Sequence, residues 1–340
     1  IKNHRPRLFV RSNGHYSLLI RSYSGRAGHS TRPVAKMSKL LCLACVFVAV
    51  NAECDSATMR STAKDFFRLC EAGKGWNATK EFVTSESAKF NAEVTDALPG
   101  PKLSVIKTVA GYADWMVGVV HEFGPKATVD VKAEGLDEER HTYVVHAVFA
   151  GFSDYVYSLE FDESSCKIDS MTKIWNDGYA AAQPPPAIQD TQLEAPFLPI
   201  RGCDSAMMKS NIDNFFRLCE AGKGWNATKE FVTSESAKFN AEVTDALPGP
   251  KLSVIKTVAG YADWMVGVVH EFGPKATVDV KAEGLDYDRD SAVIYAVFAG
   301  FSDYAYSFGL DKSTCKIDSM TKIWNDGYAA AQPPPMVAQA

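Results

Sequence analysis

The chain has 340 residues, 46% hydrophobic and 23% charged, with 36 Lys and Arg against 41 Asp and Glu. That length exceeds one ordinary single-core domain and suggests two. Nine of the basic residues and none of the acidic ones precede residue 53, so the remainder carries a formal charge of −14, and nucleic acid and anionic membrane are poor partners for it.

Residues 1–36 lie upstream of Met37 and hold Arg5, Arg7, Arg11, Arg21, Arg26 and Arg32 without an acid. They read as leader sequence; an Arg- and Ser-rich organelle presequence is the rival reading. Residues 37–52 read as a signal peptide, with Lys39 as basic start, Leu40 to Val50 as apolar run and Val50-Asn51-Ala52 as a small-residue cleavage site. The run is too short to span a bilayer. The product is therefore expected to be secreted or in the lumen of the secretory pathway, with an organelle as the alternative. Asn77-Ala78-Thr79 and Asn226-Ala227-Thr228 are glycosylation acceptor sequons that favour the secretory route.

Residues 66–137 recur letter for letter at 215–286, and Cys166 to Pro186 recur at Cys315 to Pro335. A repeat this long exceeds a solenoid unit, so each copy must bury its own core. The expected organisation is a first domain over 53–183, a Pro-rich linker over 184–202, a second domain over 203–332 and a tail over 333–340.

Within one copy, Ser56 to Ala72 carries Met59, Ala63, Phe66, Phe67 and Cys70 at helical spacing, and Gly73-Lys74-Gly75 ends it. Asn77 is the expected N-cap of a short helix over Ala78 to Val83. Ala88 to Val94 alternates like a strand. Val105 to Phe123 reads as the longest helix, stopped by Gly124-Pro125. Four strands follow: Ala127 to Glu134 in period two, Thr142 to Phe149 apolar on both faces, Tyr155 to Phe161 alternating, and Cys166 to Trp175. This order fits an α+β domain in which a curved antiparallel sheet wraps three helices as a half-open cone.

Each copy keeps three cysteines: Cys54, Cys70 and Cys166, then Cys203, Cys219 and Cys315. Sixteen helical residues separate the first two by roughly 24 Å, beyond disulfide reach. Cys54 with Cys166, and Cys203 with Cys315, are the favoured pairs, and free thiols throughout are the alternative.

Tyr112-Ala113-Asp114-Trp115-Met116, Asp154-Tyr155-Val156-Tyr157 and Met171-Thr172-Lys173-Ile174-Trp175-Asn176-Asp177 resemble SnoaL-like proteins of the NTF2-like superfamily. The resemblance implies a cone with a pocket between sheet and long helix, and dimerisation through the outer sheet face. Two linked copies could form that dimer within one chain, or the chain could form a homo-oligomer. It implies no single chemistry, because the superfamily includes isomerases, cyclases, dehydratases and binding or oligomerisation modules. Related domains often carry a longer loop between the third and fourth strands; here Ala150-Gly151-Phe152-Ser153 turns almost directly, so a pocket wall from that loop is expected to be absent.

An enzyme of this fold needs a proton shuttle in an apolar pocket. Asp114 and His146, with their counterparts Asp263 and Tyr295, are the candidates; a solvent-facing Asp114 and a packed or interface His146 are the plainer alternatives. Trp115, Tyr155, Tyr157 and Trp175, with Trp264, Tyr304, Tyr306 and Trp324, are the candidate ligand-contacting aromatics, with plain core packing as the alternative. Lys173 alternates with Met171 and Trp175 and shares whichever face they take. The sequence has no metal-ligand spacing and no phosphate loop, and calls for no cofactor. The leading expectation is a small hydrophobic molecule bound in each copy; a proton-transfer enzyme acting on a hydrophobic carbonyl compound and a structural module are the alternatives.

Overall fold

The computed structural model describes residues 54–98, 102–183, 203–247 and 251–331. The leader, signal segment, linker and tail expected from the sequence lie outside them. The first copy runs α1 (Ser56–Glu71), α2 (Trp76–Thr79), β1 (Lys89–Glu93), α3 (Val109–Phe123), β2 (Val129–Asp137), β3 (Thr142–Phe149), β4 (Ser153–Phe161), β5 (Ile168–Trp175) and α4 (Asp177–Ala182). The second repeats it as α5 (Ser205–Glu220), α6 (Trp225–Thr228), β6 (Lys238–Glu242), α7 (Val258–Phe272), β7 (Val278–Asp286), β8 (Ser291–Phe298), β9 (Ser302–Leu310), β10 (Ile317–Trp324) and α8 (Asp326–Ala331).

Local chemistry sets the element ends. Asp55 caps α1 by accepting the Thr58 N–H at 2.7 Å, and Met59, Ala63, Phe66 and Cys70 form its buried stripe. α2 starts ahead of the expected cap Asn77, which is exposed; its first N–H, from Trp76, goes to Asp114 Oδ1 at 2.8 Å. α3 is shorter than periodicity suggests. Thr108 caps it through the Gly111 N–H, and the preceding residues are held to β1 by the Phe90 N–H to Lys107 O and Val109 N–H to Ala88 O bonds. α4 was not expected: Asn176 starts it by accepting the Tyr179 N–H at 2.7 Å.

Each sheet has five strands, in the orders β1-β5-β4-β3-β2 and β6-β10-β9-β8-β7. The expectation of an all-antiparallel sheet is corrected at one edge, where β1 runs parallel to β5, with Phe90 opposite Met171. Parallel neighbours need a long connection, and here α3 and three strands intervene, so no local pattern announces the pairing.

Alternation divides each sheet into two buried faces. In β3, Tyr143, Val145 and Ala147 join the core under the helices, whereas Val144 joins a separate cluster with Ala133, Val156 and Ile174. That cluster also holds Ala282, Val293, Tyr295, Ala305 and Ile323 of the second copy. Each copy thus has its own core, and the two sheets meet through their outer faces. Polar contacts there repeat with the copies exchanged: Asn176 Nδ2 donates to Trp324 O and Asn325 Nδ2 to Trp175 O, both at 2.9 Å. Such self-complementarity is that of a two-fold interface. Gly135 of β2 and Gly284 of β7 cross so closely that a Cβ on either would run into the other's backbone.

The interface buries two carboxyl pairs. Glu242 Oε2 accepts the Asp154 N–H at 2.9 Å, and Glu93 Oε2 accepts the Asp303 N–H at 3.0 Å. Burial and the neighbouring aspartate push both glutamates well above the usual carboxylate range, so each glutamate keeps its proton at neutral pH. The folded state then holds a proton that the unfolded chain has lost, and this contribution to stability declines as pH rises from the ordinary glutamate range through neutrality. Glu93→Gln with Glu242→Gln is expected to leave the melting temperature unchanged at pH 4 and to raise it by several degrees at pH 8, on the order of 2 kcal/mol. Equal shifts at both pH values would contradict a proton retained on each glutamate.

The differences between copies compensate one another. Tyr143 faces Leu159 across β3 and β4, whereas Ala292 faces Phe308, and on the first helix Ala63 is replaced by Ile212. All six are buried, so a large residue at one position is balanced by small ones nearby, as core volume requires.

Candidate functional site

Under each sheet lies a cavity, of about 130 Å³ in the first copy and about 150 Å³ in the second. In the first copy Leu103, Trp115, Met116, Val119, Phe123, Phe149 and Trp175 give it apolar wall. Leu98, Glu122 and Phe152 line it too and retain solvent exposure, which puts the mouth on their side. The turn between β3 and β4 is short, with Ala150 and Gly151 in the left-handed region, yet it does supply wall: Phe152 belongs to it.

The deep end is polar. Met171, Lys173 and Trp175 point into the core side of β5, which puts the Lys173 ammonium beneath the cavity, 5% exposed. It lies 4.5 Å from the Tyr155 ring, 4.8 Å from Trp175, 5.1 Å from Tyr157, 5.3 Å from Tyr112 and 5.8 Å from Trp115, a box of π-faces that suits a cation. It donates to the hydroxyls of Tyr157 at 3.1 Å and Tyr112 at 3.3 Å. Those hydroxyls contact each other and donate to Glu71, as does Tyr155 at 2.7 Å. Burial pulls the Lys173 pKa down to about 8, with the Glu71 charge opposing that fall. Burial, reinforced by the same charge, pushes Tyr112, Tyr155 and Tyr157 well above the usual phenol range.

The second copy repeats this arrangement with Glu220, Tyr261, Tyr304, Tyr306 and Lys322. Lys322 lies 4.5 Å from the Tyr304 ring and 5.0 Å from Trp324, and its pKa likewise falls to about 8.

Two other carboxylates on the wall, Asp177 and Asp96, are committed to backbone N–H groups, and Glu122 stands exposed at the mouth. Asp177 accepts the Thr95 and Ala97 N–H groups, and Asp96 accepts those of Leu103 and Ser104. At the deep end Glu71, reached through the tyrosine hydroxyls, offsets Lys173.

Of the expected aromatics, Trp115, Tyr155 and Trp175 stand on the first wall and Trp264 and Trp324 on the second. Tyr157, Tyr304 and Tyr306 are set behind it, in the hydroxyl cluster. The proton-shuttle candidates stand elsewhere. Asp114, like Asp263, is exposed and holds a helix start. His146 is on the interface face, its Nε2 2.9 Å from Asp154 Oδ1, and Tyr295 in the second copy hydrogen-bonds the equivalent Asp303. The His-to-Tyr exchange between copies therefore keeps a donor for a buried aspartate. Glu71 and Tyr112 were not singled out from the sequence. A signal was present, since Glu71 continues the i, i+4 series of Ala63 and Phe67 on the buried face of α1.

The structure pairs Cys54 with Cys166 and Cys203 with Cys315, with Cα separations of 5.0 and 5.3 Å; Cys70 and Cys219 are buried free thiols. Among the described residues no helix is long and apolar enough to cross a membrane, and no group of three or more His, Cys, Asp or Glu could hold a metal ion.

Neither a family model nor a curated protein matches the chain. Solved structures similar to it include a protein of unknown function with a cystatin-like fold from Methylobium petroleophilum PM1, 15% identical, covering 42% of this chain and 86% of that one with a TM-score of 0.30. A SnoaL-like protein of unknown function from Burkholderia thailandensis E264 is 6% identical, covering 36% and 98% with a TM-score of 0.28. An NTF-2 like protein of unknown function from Burkholderia xenovorans LB400 is 14% identical, covering 35% and 84% with a TM-score of 0.25. Each match spans about one copy.

Proposed function

We propose that the chain is a secreted two-site binding protein, each copy holding one small, neutral, hydrophobic molecule with its oxygen atom toward the buried lysine. The observation that carries this reading is the duplicated apolar cavity ending on a lysine and tyrosine hydroxyls. Apolar walls with a few convergent polar groups are what small-ligand sites are made of. An anionic ligand fits less well, because Glu71 already balances Lys173. Secretion draws support from the two disulfides and from the exposed sequon residues Asn77 and Asn226.

Trp115 and Trp175 line the site, so their fluorescence reports occupancy. Titration with short alkanols and ketones is expected to quench it saturably. Val119→Trp with Val268→Trp, which fills both cavities, should weaken binding about ten-fold or more, roughly 1.4 kcal/mol, at an unchanged melting temperature. Absence of saturable quenching across such a series, together with protein from its source carrying no bound small molecule by native mass spectrometry, would remove the proposal.

A further inference from the structure

Lysine is an expensive residue to bury, and a neutral side chain of similar length would fill the same space at lower cost. Lys173 nevertheless sits at the deep end of the cavity, on its wall, with Trp175 and Tyr155 against its ammonium. The duplication retains the same surroundings at Lys322. Its hydrogen-bond partners are hydroxyls, and Glu71 reaches it through them. A direct carboxylate pair would lock the ammonium charge; hydroxyls allow the nitrogen to give up its proton.

We propose that Lys173 and Lys322 each take a small hydrophobic aldehyde or ketone as a covalent imine. This rests on the binding reading above and names the substrate class of the same site. The neutral amine nitrogen attacks the carbonyl carbon, forming the C–N bond while the C=O π pair moves onto oxygen. The nitrogen then gives a proton through the Tyr157 hydroxyl to Glu71, and the oxygen takes one from the same network, leaving a carbinolamine. The nitrogen's second proton then passes by the same route, through Tyr157 and Glu71, to the carbinolamine hydroxyl, which leaves as water as the C=N bond forms. One carbonyl and one amine thus yield one imine and one water, Glu71 and the tyrosines end as they began, and hydrolysis runs the sequence backward. The lowered lysine pKa helps: at pH 7.5 roughly a quarter of such a lysine is neutral, against about one in a thousand for an exposed one.

Hexanal with sodium cyanoborohydride at pH 7.5 is the test, read on the wild-type full chain by peptide mapping, with hexanol as the unreactive probe followed by tryptophan fluorescence. The expected result is a hexyl adduct on Lys173 and Lys322, formed roughly ten-fold or more faster than on exposed lysines such as Lys89 and Lys126, and lost in Lys173→Met with Lys322→Met. Adducts spread evenly over exposed lysines while hexanol still binds would overturn the imine and leave the binding reading standing. If neither hexanol nor hexanal binds, both fall.

Discussion

Replacing Glu71 and Glu220 by leucine is expected to cost each copy about 3–5 kcal/mol at pH 7, because it leaves a lysine charge buried without its counter-charge. Burial already holds Lys173 at about 8, and the Glu71 charge works against that fall. Without it the folded-state pKa drops further below the unfolded value near 10.5. Between the two values the unfolded chain binds more protons than the folded one, so stability rises with pH across that interval. Much of the loss should therefore be recovered at pH 9.5, before the buried tyrosines, whose pKa values are raised, begin to oppose it. Removing the charge as well, in Glu71→Leu/Lys173→Met and Glu220→Leu/Lys322→Met, should bring the chain back to within about 1–2 kcal/mol of wild type at pH 7. Urea denaturation at the two pH values measures this, with both copies changed together so that one transition is compared with one. A loss of the same size at both pH values, unrelieved by the second substitution, would mean that Glu71 stabilises by packing alone.

That site was only half legible in the sequence, and the missing half has a physical cause. Trp115, Tyr155 and Trp175 stood out because large aromatics on alternating or helical positions are candidates for any interior surface. Lys173 could be tied to Met171 and Trp175 by strand period, but not to a side of the sheet. The side depends on which face α1 and α3 cover, and that is a tertiary fact. Glu71 was hidden because one carboxylate at a helix end reads as an ordinary solvated residue until three tyrosine hydroxyls from α3 and β4 converge on it. The elements themselves were readable: Thr142 to Phe149 is the strand its composition suggests, since period and apolar run length are local properties. The parallel β1–β5 edge was not, because its partners are about 80 residues apart in sequence and nothing near either one records the pairing. His146 shows the same divide. Its burial was expected, and the aspartate that receives its Nε2 lies opposite the neighbouring strand position, beyond any sequence period that one strand displays.

Loss of both disulfides is the other large effect to expect. Cys54 precedes α1 and Cys166 precedes β5, with a sequence separation of 112 residues, so the bond closes nearly the whole first copy; Cys203 and Cys315 do the same for the second. A loop of that length restrains the unfolded chain strongly, and removing such a bond costs about 2–5 kcal/mol per copy. The buried thiols Cys70 and Cys219 offer no substitute. Burial pushes both well above the usual thiol range, and the thiolate is the form that attacks a disulfide. Reduction should therefore open the two bonds without reshuffling them, and reoxidation should restore the original pairs. Calorimetry of the wild type with and without dithiothreitol, beside a chain carrying Cys54→Ser, Cys166→Ser, Cys203→Ser and Cys315→Ser, is expected to show reduced and substituted proteins melting together, roughly 10 °C below the oxidised one. Coincident melting of all three would mean that each core stands without its staple. The proposal of an oxidising compartment would then lose its strongest physical support, because a fold indifferent to its disulfides has no need of a place that makes them.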